Sequence, residues 1–480
     1  MAKPVNLLER ISRENLLALI EYQAEQIEVL KAQNAQLKAQ VEKLEGRLAK
    51  NSSNSSKPPS SDGLKKPAPK SRREKGKRKP GGQAGHNGET LAMVARPDEV
   101  VVHRLTTCSH CHSDLSGVTA ERVLKRQVFD LPPIRLHVTE HQTEVKRCPA
   151  CCRVQQAAFP HGVNAPTQYG PNLLAHAVYL HSYQLLPLAR IREWFADCVG
   201  QAPSEDTIQR AISQMAEVVA PALDAIYEGL IRAAVVHLDE TGLRIATGIG
   251  WLHTVSTSVL TYYTVHPKRG DEALLDAGVL PNCHGWAVHD GFKPYFGFKT
   301  VRHALCHAHH LRELQFLVEH YGVQWAQDMM TLLRTMKRRC DDAPNGLAHA
   351  DIQAFEAQFD ALLAQGFEQY PIRPRSPTTK RRVAQHPATN LLLRLQTQRE
   401  AALAFIRHPV VPFDNNLAER DLRMMKVKQK ISGGFRTWAG AEVFAAIRSY
   451  LSTARKHGLS MLRAAQLAFL GTPFIPAIPE

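Results

Sequence analysis

Residues 16–48 repeat every seven positions. Leu16, Gln23, Leu30, Leu37 and Leu44 hold one seam position, and Ile20, Ile27, Asn34, Val41 and Leu48 hold the other. So narrow and long an apolar stripe belongs to a helix that needs a second helix beside it. β-branched residues at a with Leu at d favour a parallel two-stranded coiled coil, and Asn34 at an a position sets its register. Gln23 is a second polar interruption. The competing reading is an amphipathic helix packed on its own chain. The helix must stop at NSSNSSKPPSSDG (51–63), whose turn formers and prolines cannot continue it.

A basic stretch follows. Lys57, Lys65, Lys66, Lys70, Arg72, Arg73, Lys75, Lys77, Arg78 and Lys79 face only Asp62 and Glu74. This one segment supplies more than half of the chain's net charge of +15. With so few apolar residues it cannot fold alone. It reads as an arm on DNA phosphates, or else as a solvated linker. GGQAGHNG (81–88) marks another loop. The chain as a whole has 480 residues, 44% hydrophobic and 22% charged, which excludes a wholly disordered or collagen-like protein and allows several domains. No apolar run is long enough to span a membrane, and MAKPVNLLERISREN lacks the features of a signal peptide. A cytoplasmic protein is expected, its nine cysteines being thiols or metal ligands.

Four of those cysteines form two C-x-x-C pairs, Cys108/Cys111 and Cys148/Cys151. Two such pairs can close a tetrahedral Zn²⁺ site, whereas a redox dithiol needs only one. Between them RQVFDLPPIRLHVTEHQTEVKR alternates apolar and polar residues, which predicts a β-ribbon with an irregular turn at Pro132-Pro133. Cys152, His110 and His112 are substitute ligands. A segment this small has too little core to hold itself without metal.

Residues 170–232 have helical spacing, with Ser204 as the N-cap of a helix from Glu205 to about Leu230. Two helices about the turn Gln201–Pro203 resemble a helix-turn-helix, a pattern that simple packing also produces. From Ala233 the period changes to short β-rich runs, AAVVHL, LRIAT, GWLHTVS, VLTYYTV and GWAVHD. Residues 320–408 are again largely helical, broken at YPIRPRSPTTKRR. Two acids end strand-like runs: Asp239 after AAVVHL and Asp290 after GWAVH. Such acids project into the crevice where open α/β sheets bind ligands. Glu419 lies one turn into the helix DNNLAERDLR. Three converging carboxylates can hold two divalent cations for phosphoryl chemistry, and Mg²⁺ suits hard oxygen ligands. Each acid also has a bland role. Asp239 and Asp290 can make turns, while Glu419 can close a capping box with Asn416 or pair with Arg423.

LDET (238–241), HDGF (289–292) and DNNLAERDLR (414–423) resemble the three catalytic blocks of bacterial DDE transposases, most closely insertion-sequence family sixty-six. NSSKPPSSD (54–62), GGQAGHNG, the paired C-x-x-C motifs and the leading zipper are similar to that family's N-terminal half. The resemblance spans nearly the whole chain. It implies an α/β ribonuclease H-like catalytic core with a large helical insertion, preceded by a coiled coil, a zinc-binding β-ribbon and a helical domain. The expected divisions are a dimerisation helix (1–50), a basic DNA-binding linker (51–97), a Cys₄ zinc domain (98–162) and a helical DNA-binding domain (165–232). A catalytic domain (233–455, insertion about 320–408) and a C-terminal tail (456–480) follow. Asp239, Asp290 and Glu419 are the expected catalytic triad, holding two Mg²⁺ or Mn²⁺ ions. Cys108, Cys111, Cys148 and Cys151 are the expected zinc ligands.

Lys65, Lys66, Arg72, Arg73, Lys75, Lys77, Arg78 and Lys79, with Arg420 and Arg423, are the expected DNA contacts. Cys306 and His309 resemble a C-x-x-H element of several DDE groups, for which structural support or DNA contact is expected rather than zinc. GTPFIPAIPE at the end carries no matching motif. The implied activity is metal-dependent cleavage at element ends and strand transfer into target DNA, with no ATP-binding loop present. Expected partners are the element's inverted repeats, target DNA, a second copy or higher synaptic assembly, and accessory proteins of the same element, at the bacterial nucleoid and not at a membrane. The alternatives are a related nuclease without strand transfer, and a non-catalytic zinc and zipper DNA-binding protein.

Overall fold

The computed structural model describes residues 12–51, 54–55, 91–374 and 383–478. The basic arm, and with it Lys65, Lys66, Arg72, Arg73, Lys75, Lys77, Arg78 and Lys79, lies outside the described residues, as does GGQAGHNG. No helix among the described residues is long and apolar enough to cross a membrane.

The seven-residue repeat folds as a single helix, α1 (Arg13–Ala49), whose N-cap Ser12 accepts a hydrogen bond from the backbone of Asn15. Its seam is open to solvent: Leu30 and Leu37 are each 60% exposed.

The chain divides into two compact units, one of residues 69–156 and 194–202, the other of the remainder. In the smaller unit β1 (Val145–Arg147) pairs antiparallel with β2 (Val154–Gln156) around Cys148–Cys151. A single bridge, Thr107 to Asp114, encloses Cys108–Cys111. The ribbon expected between the cysteine pairs does not form. Residues 126–144 carry no strand, and Val128 and Leu131 stand in solvent. Pro132 and Pro133 remove two successive backbone donors from any ladder there, so the pairing falls within each cysteine turn instead.

The larger unit begins with helices. These are α2 (Pro171–Val178), prolonged by a π turn through Tyr183, then α3 (Leu188–Val199), α4 (Glu205–Val218) and α5 (Ala220–Ile231). Ser204 caps α4, accepting from Thr207 N at 3.1 Å. The single helix expected from Glu205 breaks at Val219, because Pro221 has no N–H and its ring would strike the preceding turn.

Next comes a five-stranded sheet of β3 (Val235–Ile245), β4 (Gly248–Ser256), β5 (Thr261–His266), β6 (Trp286–His289) and β7 (Arg302–Leu305). Helices α6 (Asp271–Ala277) and α7 (Val279–Asn282) lie between β5 and β6. The strand order is β5-β4-β3-β6-β7. The first three form an antiparallel meander, and β6 and β7 run parallel to β3. Val236 and Leu238 pack on α5 and α7 through Ile226, Leu230, Val279 and Leu280.

Helix α8 (His307–Tyr321) leaves β7 directly. The end of α1 rests on it: Lys50 stacks on Phe316, and Asn54 donates to Glu319 at 3.2 Å. Then come α9 (Gln324–Asp342), α10 (His349–Gln369), α11 (Pro387–Thr397) and α12 (Arg399–Arg407). Trp325, Met329, Met336, Phe359 and Leu392 form their core, which is continuous with Val288 and Leu305 of the sheet. Finally α13 (Asn416–Ile431) crosses β3 and β4, while α14 (Trp438–Lys456) lies along β5. The segment 456–480 contains a helix, α15 (Met461–Phe469), whose alanine face (Ala464, Ala465, Ala468) packs on α2 and α14.

Candidate active site

The sheet brings the first two acids within reach of each other. The paired register of β3 and β6 ends with His237 beside Val288; Asp239 follows within β3, Asp290 follows just after the end of β6, and the charge of Asp290 acts on Asp239. Asp239 does not end its strand, as the sequence suggested. β3 continues to Ile245 against β4, and only its parallel partner stops, which opens the crevice at Asp239. Asp290 follows β6 in a tight turn. Its Oδ1 accepts from Phe292 N at 2.9 Å, and Gly291 takes the left-handed φ of +90° that the turn needs.

Glu419 arrives from the first turn of α13. Asn415, buried at the head of this helix, holds it to the sheet. Its Nδ2 donates to Leu238 O at 2.7 Å, its Oδ1 pairs with His237 Nδ1 at 2.9 Å, and its backbone N–H donates to Cys306 Sγ at 3.1 Å. The capping box of Asn416 with Glu419 is not formed. Asp414 Oδ1 instead accepts from Asn416 N at 3.1 Å. Glu419 faces α8, with Oε1 3.8 Å from His309 Nδ1 and Oε2 3.7 Å from Arg312. These two, not Arg423, are its ionic neighbours among the described residues. Arg420 and Arg423 are exposed on α13 within one turn of it.

Asp239 sits among other acids. Asp239 is held well above the usual carboxylate range, first by burial and then by the negative charges of Glu240, Asp290 and Glu419. Crowded acids of this kind bind cations, because each added positive charge relieves their repulsion. Glu240 points to the opposite face of β3, where Arg269 grips it at 2.6 and 2.9 Å and the Tyr295 hydroxyl donates to it. Burial still raises its pKa. Arg269 in turn stacks on Phe292, 4.1 Å from the ring centre. Asp421 has a structural task. One of its oxygens receives Ser256 Oγ at 2.7 Å, Thr261 Oγ1 at 3.1 Å and Lys456 Nζ at 2.8 Å.

Asn415, His237, Glu240 and Arg312 were missed in the sequence. Only the doubled Asn415-Asn416 before the helix and the paired acids Asp239-Glu240 hinted at two of them.

In the smaller unit the two cysteine turns repeat each other. Cys108 N donates to Ser113 O and His112 N to Cys108 O; Cys148 N donates to Arg153 O and Cys152 N to Cys148 O. His112 and Cys152 occupy the same left-handed position, at φ of +58° and +57°. The Ser113 hydroxyl lowers the Cys111 thiol to about 7, and backbone N–H groups of Cys151 and Ala150 lower Cys148. Such turns suit thiolate ligands of zinc. Each turn is formed within itself, and no three of the four sulfurs lie within 4.8 Å of one another.

Family comparison matches residues 8–92 to a family of unknown function (DUF6444) and residues 106–152 to the zinc-finger binding domain of transposase IS66. The second match encloses all four knuckle cysteines and supports structural zinc there. Comparison with curated proteins gave no match. Residues 166–443, well over half of the chain and including the sheet, the helical insertion and all three acids, match the model of the IS66 transposase family. The chain therefore belongs to the IS66 family of transposases.

Proposed function

We propose that Asp239, Asp290 and Glu419 are the catalytic triad of a DDE transposase that cleaves DNA at element ends and joins the freed 3′ ends to target DNA. The carrying observation is that Asp239, just past the pairing of β3 with β6, has its pKa raised by the charges of both Asp290 and Glu419. A three-stranded meander flanked by two parallel strands supports a ribonuclease H-like core, with α9–α12 as its insertion. The triad would hold two Mg²⁺ or Mn²⁺ ions, which when bound activate the attacking oxygen and neutralise the leaving one.

The chain's own residues do the remaining work. Asn415 anchors the head of α13, which carries Glu419 between α8 and the aspartates. Arg269, Tyr295 and Glu240 lock β3 from behind. Arg420 and Arg423 offer charge to the DNA backbone at the rim. Residues 57–79 add sequence-independent affinity. Cys108, Cys111, Cys148 and Cys151 bind one structural zinc, and α1 pairs two copies so that two element ends meet. The protein then works at the bacterial nucleoid.

The deciding experiment compares wild type with Asp239→Asn, Asp290→Asn and Glu419→Gln on uncut and precut element ends with Mg²⁺ or Mn²⁺. Each variant should bind ends and melt normally yet lose cleavage and strand transfer by at least about 10³-fold, the scale at which a group acting on transition-state charge matters. Wild type that cuts but never joins a precut end would reduce the protein to a nuclease. Retained activity in all three variants would sink the triad.

A further inference from the structure

Beside the triad lies a second ligand set. Cys306 directly precedes α8, His309 sits in its first turn, and Glu419 comes from α13. One donor atom from each lies within 4.8 Å of the other two. His309 Nδ1 and Glu419 Oε1 are both buried without a hydrogen-bond partner. They stand 3.8 Å apart. That is too far for a hydrogen bond. It suits two donors of one cation, which lie about 3.3–3.8 Å apart when each is roughly 2.0–2.3 Å from the ion.

Cys306 Sγ already accepts the N–H of Asn415. Metal-bound thiolates commonly receive such an outer-shell bond. Arg312 engages the other oxygen of Glu419, so Oε1 remains turned toward His309. A thiol, an imidazole and one carboxylate oxygen are the donors of Zn²⁺, not of Mg²⁺.

We propose that Cys306, His309 and Glu419 form a second zinc site, distinct from the cysteine knuckles, with a fourth position left for water or a substrate oxygen. The C-x-x-H spacing alone favoured structural support or DNA contact; the two orphaned buried atoms facing each other point to a metal. The proposal shares Glu419 with the catalytic triad but does not depend on transposition. Zinc content tests this site and Mg²⁺-dependent cleavage tests the triad, so either can fail without the other.

The experiment counts zinc in the full chain after equilibration in a zinc buffer and removal of free ion. Wild type should hold two per chain. Cys306→Ala and His309→Gln should each hold one, while Cys198→Ala, at an exposed cysteine, keeps two. Melting of the zinc-equilibrated protein should show both site variants folded. Because the two substitutions perturb different contacts, failure of one to fold leaves the other decisive. One zinc per chain in wild type at saturation, retained in Cys306→Ala and His309→Gln, overturns the proposal. Two zincs retained in a folded Cys306→Ala or His309→Gln protein overturn it equally.

Discussion

At the scale of single residues, Asp239 carries a cost that its proposed role in the triad would explain. Its folded-state pKa is raised by burial and by three neighbouring acids. The folded chain therefore holds its proton more tightly than the unfolded chain. This group's contribution to stability is fully present below the ordinary carboxylate pKa of about 3.9 and is lost as pH rises through the folded value. Asp239→Asn should thus melt at or above wild type at pH 7, and the gap should close toward pH 4. Mg²⁺ should raise the melting temperature of wild type more than that of the variant. A variant less stable at pH 7 would mean that Asp239 is a turn-forming residue.

Asp421 should behave in the opposite way. Asp421→Ala strands Lys456 and two hydroxyls in a largely buried cluster, so a loss of about 2–4 kcal/mol is expected in denaturant titration. Asp421 is thus no substitute for Glu419. Arg423→Gln should change stability by no more than about 0.5 kcal/mol, since Glu419 pairs across to α8 instead. Asp239 and Asp290 stood out as candidates because an isolated carboxylate at the edge of an apolar run has no packing role. Their supports were not: a histidine at 237 or an asparagine at 415 gains meaning only when residues some 180 positions apart touch.

Elements differ in how plainly their sequences declare them. The heptad of α1 and the apolar periods of α8–α14 are local patterns that a local structure satisfies, and they formed as expected. β3 was legible in two pieces, AAVVHL and LRIAT, because between them the strand is paired on one side alone and its residues turn polar. The ribbon between the knuckles was misread because alternation in 126–144 looks like a strand until the two prolines are weighed against the hydrogen bonds they remove. Asn415 ties three elements together, and its loss should be felt at that scale. Asn415→Ala leaves the Leu238 carbonyl and the His237 ring without their partner, at an expected cost of about 2–3 kcal/mol. It should also lower cleavage more than end binding, because Glu419 rides on the same helix turn. If stability falls while cleavage by the folded fraction is unchanged, Asn415 only packs and does not orient. For the knuckles, Cys148→Ser should remove about one zinc per chain and unfold the smaller unit, since metal and fold are linked there. The melting of the larger unit should persist.

At the scale of the whole molecule, the open seam of α1 bears on the proposed pairing of two copies. A helix of 37 residues with its leucines in water gains little by standing alone, whereas a second copy would bury the stripe. Just beyond α1 the chain is held on α8 through Lys50 and Asn54. The seam can therefore be broken without disturbing that anchor. Leu30→Glu with Leu37→Glu places like charges opposite each other in a parallel pair and leaves residues 46–55 intact. Sedimentation should shift from dimer to monomer, the sheet unit should melt as before, and complexes holding two element ends should disappear while single-end binding remains. The basic arm gives the complementary measurement. Deleting 57–79 should flatten the slope of log affinity against log salt for every DNA sequence alike, because those charges neutralise phosphates without reading bases. The leucine variants should leave that slope per bound chain unchanged. Should they instead remain dimeric, α1 is not the pairing element and its seam packs within the chain; should the arm deletion abolish binding to element ends alone, the arm reads sequence and is not the electrostatic tether its composition describes.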